Sequence, residues 1–306
     1  VLHSIVGVDH VGIGVRDAER MRSFYSEVFC FTRVLAEMPE ADHPAIHGLL
    51  RAHRTVHSST LVAHDSGGPT IALFHAIDPE PRAIRRDFTY GDIGVAKLTF
   101  TVPDLVAFCR DKGTRLSLCS PPKTVALEGR GEYSFVYGHD PEGNLIEIVS
   151  GHGQGADDPG SLCSVGIAVT DLDRSLAFYR DVFGFKDIVV APHERFSGLV
   201  DEITGVERTA VRSCLLASGK GGGMLELIEV MKPRGRSIPF GTQWGDFGYL
   251  QVCLLGEDRE TLISQVRAEG LNMLLPPQEV EDPDHPAMFM YLQDPDGIPV
   301  EIVVGG

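Results

Sequence analysis

Histidine and cysteine are the side chains best suited to hold a metal or act as a nucleophile, and this chain carries twelve of the first and six of the second. The cysteines, Cys30, Cys109, Cys119, Cys163, Cys214 and Cys253, are scattered with no CxxC spacing. They read as reduced thiols of a cytoplasmic protein rather than a metal knuckle or a disulfide framework. Cys253 lies on a strand with no adjoining motif to make it a nucleophile, so a small buried hydrophobe is the plainer reading. Histidines crowd one region: His43, His47, His53, His57, His64 and His75. The first three fall in an irregular stretch, PEADHPAIHGLLRAHRT, that could fold over a cleft as a lid. Their spacings of four and six match no metal motif, and solvated loop histidines are the alternative. His10 is placed differently. In VDHVGIGV, Val11, Ile13 and Val15 point one way while His10, Gly12 and Gly14 point the other, which makes a strand with one packed and one open face. The glycine-rich GKGGG at 219–223 lacks the strand-to-helix context of a phosphate loop and reads as a turn.

The strand holding His10 runs straight into a helix. Asp17 stands at the N-cap position, and Met21, Phe24, Tyr25, Val28 and Phe29 then recur at helical spacing as one apolar stripe. The same text returns later. VGIGVRDAERMRSFYSEVFCF at 11–31 and VGIAVTDLDRSLAFYRDVFGF at 165–185 share eleven of 21 positions at an offset of 154. The endings DPEGNLIEIV at 140–149 and DPDGIPVEIV at 294–303 repeat at the same offset. The chain therefore contains a duplication.

Taken in order, the hydrophobic pattern predicts four βαβββ modules, at about 5–77, 93–150, 162–231 and 247–305. The second includes a strand at TRLSLC, and the turns Asp140–Gly143 and Asp294–Gly297 close the last hairpins of the second and fourth. We expect an α+β fold in which consecutive modules pair into two domains, 1–150 and 161–306, joined by a linker at 151–160 (GHGQGADDPG). Each domain would be an open half-barrel sheet with helices on its outer face, and its hollow side would be a site for a small ligand.

Bulk properties narrow the class. A net charge of −16 without any Lys/Arg-rich run argues against nucleic acid and anionic membranes as partners. No apolar stretch is long enough for a membrane span, and the first residues carry no signal-peptide pattern. A homodimer is a plausible assembly for an acidic two-domain chain of this kind.

The strand–helix starts of the form HVGIGVRDAERMRSFY, with ends of the form DPxGxxxEIV, resemble the vicinal oxygen chelate superfamily over nearly the whole chain. That group includes glyoxalase I, methylmalonyl-CoA epimerase, extradiol dioxygenases, fosfomycin-resistance enzymes and bleomycin-binding proteins. The resemblance implies a divalent metal, Fe, Mn, Zn, Ni or Co, in a cleft, held by side chains from the first and last strands of each module. Carried over position by position, it implies His10, Ala72, Lys97 and Glu147 in the first pair of modules, and Ser164, Glu226, Tyr249 and Glu301 in the second. His10 and Glu147 would be metal ligands, since imidazole and carboxylate suit such ions. Ala72 cannot coordinate, and one of the lid histidines could take its place. Lys97, Glu226, Tyr249 and Glu301 would be acid, base or anchoring groups. Neither set contains the two histidines and one carboxylate of an extradiol iron site.

Each position has a second reading. Lys97 and Glu147 could be an ion pair filling a dead cleft. Glu226 and Glu301 could form a weak metal site or an acid/base pair, or one could sit at a cleft rim. Tyr249 could be a wall aromatic. Two functions therefore stay open: metal-assisted proton transfer, isomerisation, lyase or oxygenase chemistry on a small oxygenated substrate, and metal-free small-molecule binding or sequestration of the bleomycin-resistance type.

Overall fold

The duplicated strand–helix text folds as its pattern predicts. In the first module β1 (Ile5–Gly14) leads into α1 (Ala18–Phe29), β2 (Arg33–Asp42), β3 (Val56–Ala63) and β4 (Thr70–Asp78). The second contains β5 (Gly94–Thr101), α2 (Leu105–Lys112), β6 (Ser117–Leu118), β7 (Lys123–Leu127), β8 (Gly131–His139) and β9 (Leu145–Gly151). The third contains β10 (Leu162–Ala168), α3 (Leu172–Asp181), β11 (Asp187–Arg195), α4 (Asp201–Thr204), β12 (Ala210–Ala217) and β13 (Met224–Lys232). The fourth contains β14 (Gly248–Gly256), α5 (Arg259–Ala268), β15 (Met273–Val280), β16 (Ala287–Gln293) and β17 (Pro299–Gly305). This computed structural model describes residues 2, 4–51, 54–127, 131–151, 160–195, 198–280 and 287–305. Most of the expected linker, 152–159, lies outside the described residues, as does His53.

Aspartates start the main helices. Asp17, Asp104, Asp171 and Asp258 each accept a hydrogen bond from the backbone N–H three residues on, which satisfies a donor that a helix N-terminus leaves open. The five apolar residues of the α1 stripe are all buried. The strand expected at TRLSLC shrinks to the two residues of β6, because a 3-10 turn at Gly113–Arg115 uses its start.

The modules form two sheets, and their pairing is crosswise. One sheet has the order β15-β16-β17-β14-β1-β4-β3-β2 and joins the first module to the fourth. The other runs β11-β12-β13-β10-β5-β9-β8-β6 and joins the second to the third. The seams are antiparallel, with β1 against β14 and β5 against β10. This corrects the expected sharing of a cleft by consecutive modules. Modules one and two do pack together, but back to back through their helical sides. Phe29 on α1 stacks on Phe100 of β5, with ring centroids 4.0 Å apart. The Tyr25 hydroxyl donates to Asp140 at 3.1 Å, and Glu142 accepts the Arg16 and Asp17 N–H groups. The repeat reproduces this in modules three and four, with Tyr179 donating to Asp294 at 3.1 Å and Asp296 accepting from Thr170. The helices and the main core thus lie on the convex sides of both half-barrels, and the hollow sides face away from them.

Candidate metal centre

The hollow side of the first sheet gathers a row of three side chains. His10 on β1 is the cross-strand partner of Cys253 on β14, and Cys253 is the partner of Glu301 on β17. Neighbours in such a row point to the same face. Val11, Val252 and Ile302, one position away on each strand, go into the core instead. His10 Nε2 lies 3.3 Å from Glu301 Oε2, and its Nδ1 lies 2.8 Å from Asp9 Oδ2. Burial opposes a charged imidazole at His10. The Cys253 sulfur and the hydrogen bonds to Asp9, Cys253 and Glu301 outweigh it and hold the pKa well above the usual histidine value. The place therefore favours a positive charge at the imidazole edge.

Gln251 completes the group. Its Nε2 donates to Glu301 Oε2 at 3.1 Å and to the Tyr291 hydroxyl at 2.9 Å. Its Oε1 is buried with no hydrogen-bond partner, a costly state for a carbonyl oxygen unless something electropositive is meant to meet it. Gly12 makes room for this side chain, since a Cβ there would come within 2.8 Å of the Gln251 amide. Gln251 was not among the residues expected from the sequence, yet the repeat offset of 154 points to it directly from Lys97.

Tyr249, taken for that position, sits elsewhere. Its hydroxyl donates to the Leu145 carbonyl at 2.8 Å, across to the other sheet. Its ring borders a cavity of about 530 Å³ between the halves, lined by connector residues such as Arg85, Phe247 and Ile238. That cavity reaches none of His10, Gln251 or Glu301. The expected partnership of His10 with Glu147 is likewise corrected: β1 and β9 belong to different sheets, because the clefts are shared crosswise.

Glu147 and Glu226 instead meet Lys97 in the second sheet's hollow. Lys97 is fully buried and pairs with Glu147, with Glu226 at 2.6 Å and with the Thr99 hydroxyl at 3.1 Å. By the repeat offset Lys97 matches Gln251, Glu147 matches Glu301, Glu226 matches Ala72 and Ser164 matches His10. An ammonium thus stands among carboxylates at a position equivalent to the first cleft's donors. Tyr90, Phe135, Tyr137 and Val200 belong to a separate buried cluster built with strands of this sheet.

The first cleft is walled by rings and covered by the histidine-rich segment. Trp244 packs on Phe74 and His57 with centroids 4.8 and 4.6 Å away. Ile46 and Leu49, from two 3-10 turns, are buried against Trp244, Leu275 and Tyr291. The stretch that could serve as a lid thus packs here through Ile46 and Leu49, and the histidines described there do not fill in for Ala72. His43 stacks on His57 and contacts its carbonyl, and His47 pairs with Asp42 at 2.8 Å. Burial, with His43 close by, lowers the His57 pKa to about 3, so its ring is neutral.

His10, Gln251 and Glu301 suit a divalent ion. They offer an imidazole nitrogen, an orphaned amide oxygen and a carboxylate, and the contact of His10 with Asp9 is the carboxylate–histidine arrangement that fixes a ligand's tautomer.

Comparison with known proteins agrees with this architecture. The family model of the Glyoxalase/Bleomycin resistance protein/Dioxygenase superfamily matches residues 7–148 and again 161–302. The chain belongs to that superfamily, whose members bind small-molecule substrates and often use divalent metals. Glyoxalase I from Zea mays superposes with a TM-score of 0.60 at 17% identity, over 97% of this chain and 92% of the maize chain. A candidate dioxygenase from Bacillus subtilis subsp. subtilis str. 168 gives 0.61 at 15% identity, over 98% and 86%. At such identities the likeness establishes the fold. No curated protein matches the sequence. No helix among the described residues is long and apolar enough to cross a membrane.

Proposed function

We propose that this chain is a metal-dependent enzyme acting on a small oxygenated substrate in the cleft between its first and last modules, with His10, Gln251 and Glu301 holding a divalent ion. The observation that carries this reading is the His10–Glu301 pair, together with a Gln251 carbonyl oxygen, on the strand between them, that is buried without a hydrogen-bond partner. The ion would polarise substrate oxygens and stabilise negative charge developing on them. Asp9 holds the His10 ring in one orientation. Of the four groups expected to act as acid, base or anchor, Glu301 alone lies in this cleft, and it would move the proton. Ile46 and Leu49, packed on Trp244, Leu275 and Tyr291, shield this side of the cleft from bulk water.

Lys97, Glu147 and Glu226 then have a structural role, as a second hollow closed by an internal cation. Ala72 favours the alternative of a metal-free ligand-binding protein, because it leaves one family ligand position without a donor. Metal content of chelator-free, tag-free protein separates the two. About one transition metal per chain, lost in His10→Ala, is expected; protein that takes up no Fe(II), Mn(II), Zn(II), Ni(II) or Co(II) would overturn the enzyme reading in favour of the binder.

A further inference from the structure

Cys253 occupies the middle of the row described above, between His10 and Glu301 on the neighbouring strands. It is fully buried, yet it faces the hollow rather than the core that receives Val252 and Leu254. Its sulfur, a His10 ring nitrogen and an Asp9 carboxylate oxygen all lie within 4.8 Å of one another. The His10 and Glu301 side chains reach towards each other from either side of it and close to 3.3 Å. An ion bound to the His10 ring would therefore have the Cys253 sulfur close at hand. Metal–nitrogen bonds of about 2.0 Å and metal–sulfur bonds of about 2.3 Å allow donors spaced this way to share one ion. The sulfur's contact with the Leu254 carbonyl is long at 3.8 Å and holds it weakly, and its other hydrogen-bond partner is His10 itself.

We propose that Cys253 is itself a metal ligand, supplying from β14 the donor that Ala72 withholds on β4. This rests on the metal-centre reading and deepens it. The centre becomes a His–Cys–Glu row completed by the Gln251 oxygen, a mixed nitrogen, sulfur and oxygen set. One thiolate and one imidazole in a buried site select a borderline-soft ion, Zn(II) or its spectroscopic substitute Co(II), over Mg(II), Ca(II) or Mn(II). As the ion binds, the thiol proton and the proton on the coordinating His10 nitrogen leave to solvent, and the sulfur and nitrogen lone pairs form the bonds.

Cobalt titration of metal-free protein tests this. The wild type is expected to develop both ligand-field absorption and the intense near-ultraviolet thiolate-to-cobalt charge-transfer band. Cys253→Ser and Cys253→Ala should keep the first, lose the second, and bind cobalt roughly 10–100-fold more weakly. X-ray absorption of zinc-loaded wild type needs no variant and should contain a sulfur neighbour. Ligand-field absorption that disappears in His10→Ala, with no charge-transfer band and no change in Cys253→Ala, overturns the role of Cys253 and leaves the metal centre standing. Failure of the wild type to bind cobalt or zinc overturns both.

Discussion

His10 Nε2 and Glu301 Oε2 lie 3.3 Å apart although 291 positions separate them in sequence. Gln251 reaches the same carboxylate oxygen from the strand between them. Replacing Gln251 by Leu keeps the volume and removes the orphaned oxygen. We expect divalent metal affinity to fall roughly 10–100-fold, measured by calorimetric titration, and the metal-free protein to lose some thermal stability, because the buried bonds to Glu301 and Tyr291 go together with the unpaired carbonyl. Unchanged affinity would remove Gln251 from the site.

Lys97 should matter for stability rather than catalysis. Lys97→Met leaves Glu147 and Glu226 facing each other without the cation between them, and breaking a buried pair this way costs about 3–5 kcal/mol. Urea denaturation should show that loss. Lys97→Met with Glu147→Gln should recover a large part of it, since the remaining negative charge then has no like-charged neighbour. A double variant as unstable as the single one would mean that packing, not charge, sets the cost.

Burial raises the Asp294 carboxyl to about 6, against which its bonds from Ile298, Asp296 and Tyr179 act only in part. The folded chain therefore binds this proton more tightly than the unfolded chain. The stability so gained is fully present below the unfolded value of about 3.9 and is lost as pH rises to about 6, up to roughly 3 kcal/mol. Asp294→Asn keeps an oxygen for the Asp296 and Ile298 N–H groups. It should flatten that part of the pH–stability curve and leave the protein more stable at pH 7. Chemical denaturation across about pH 4–7 measures it.

Trp244 is the chain's only tryptophan and sits under the cover segment, so its fluorescence reports on the first cleft alone. Leu49→Ala removes a buried anchor worth about 2–5 kcal/mol. Because that anchor holds a short 3-10 segment, the loss should appear first as local opening. We expect increased acrylamide quenching of Trp244 with a comparatively small change in the global melting temperature. Quenching that rises only when the whole protein unfolds would show the cover to be part of the cooperative core.

The modules and the α1 stripe were legible because period-2 and period-3.6 patterns depend on one face being buried, and Val11, Ile13, Phe24 and Phe29 satisfy both locally. The partner of each module was not legible. A strand such as β1 shows the same alternation whether its edge meets β5 or β14; in the fold it meets β14, while Phe29 and Phe100 pack modules one and two back to back. The candidate site suffered from that ambiguity: His10 and Glu301 were found, but assigned to different clefts. Gln251 was missed because an amide carries no metal motif, although counting 154 from Lys97 reaches it.

The crosswise pairing also orders assembly in time. The β5–β10 seam joins neighbouring modules, whereas the β1–β14 seam must close around both of them. On a growing chain the inner sheet can zip first, and the outer one waits for β14 and β17 to emerge. Until then His10 belongs to an unfinished edge, so the chain carries its lysine-plugged hollow, already neutralised from within, well before the proposed ion site can form.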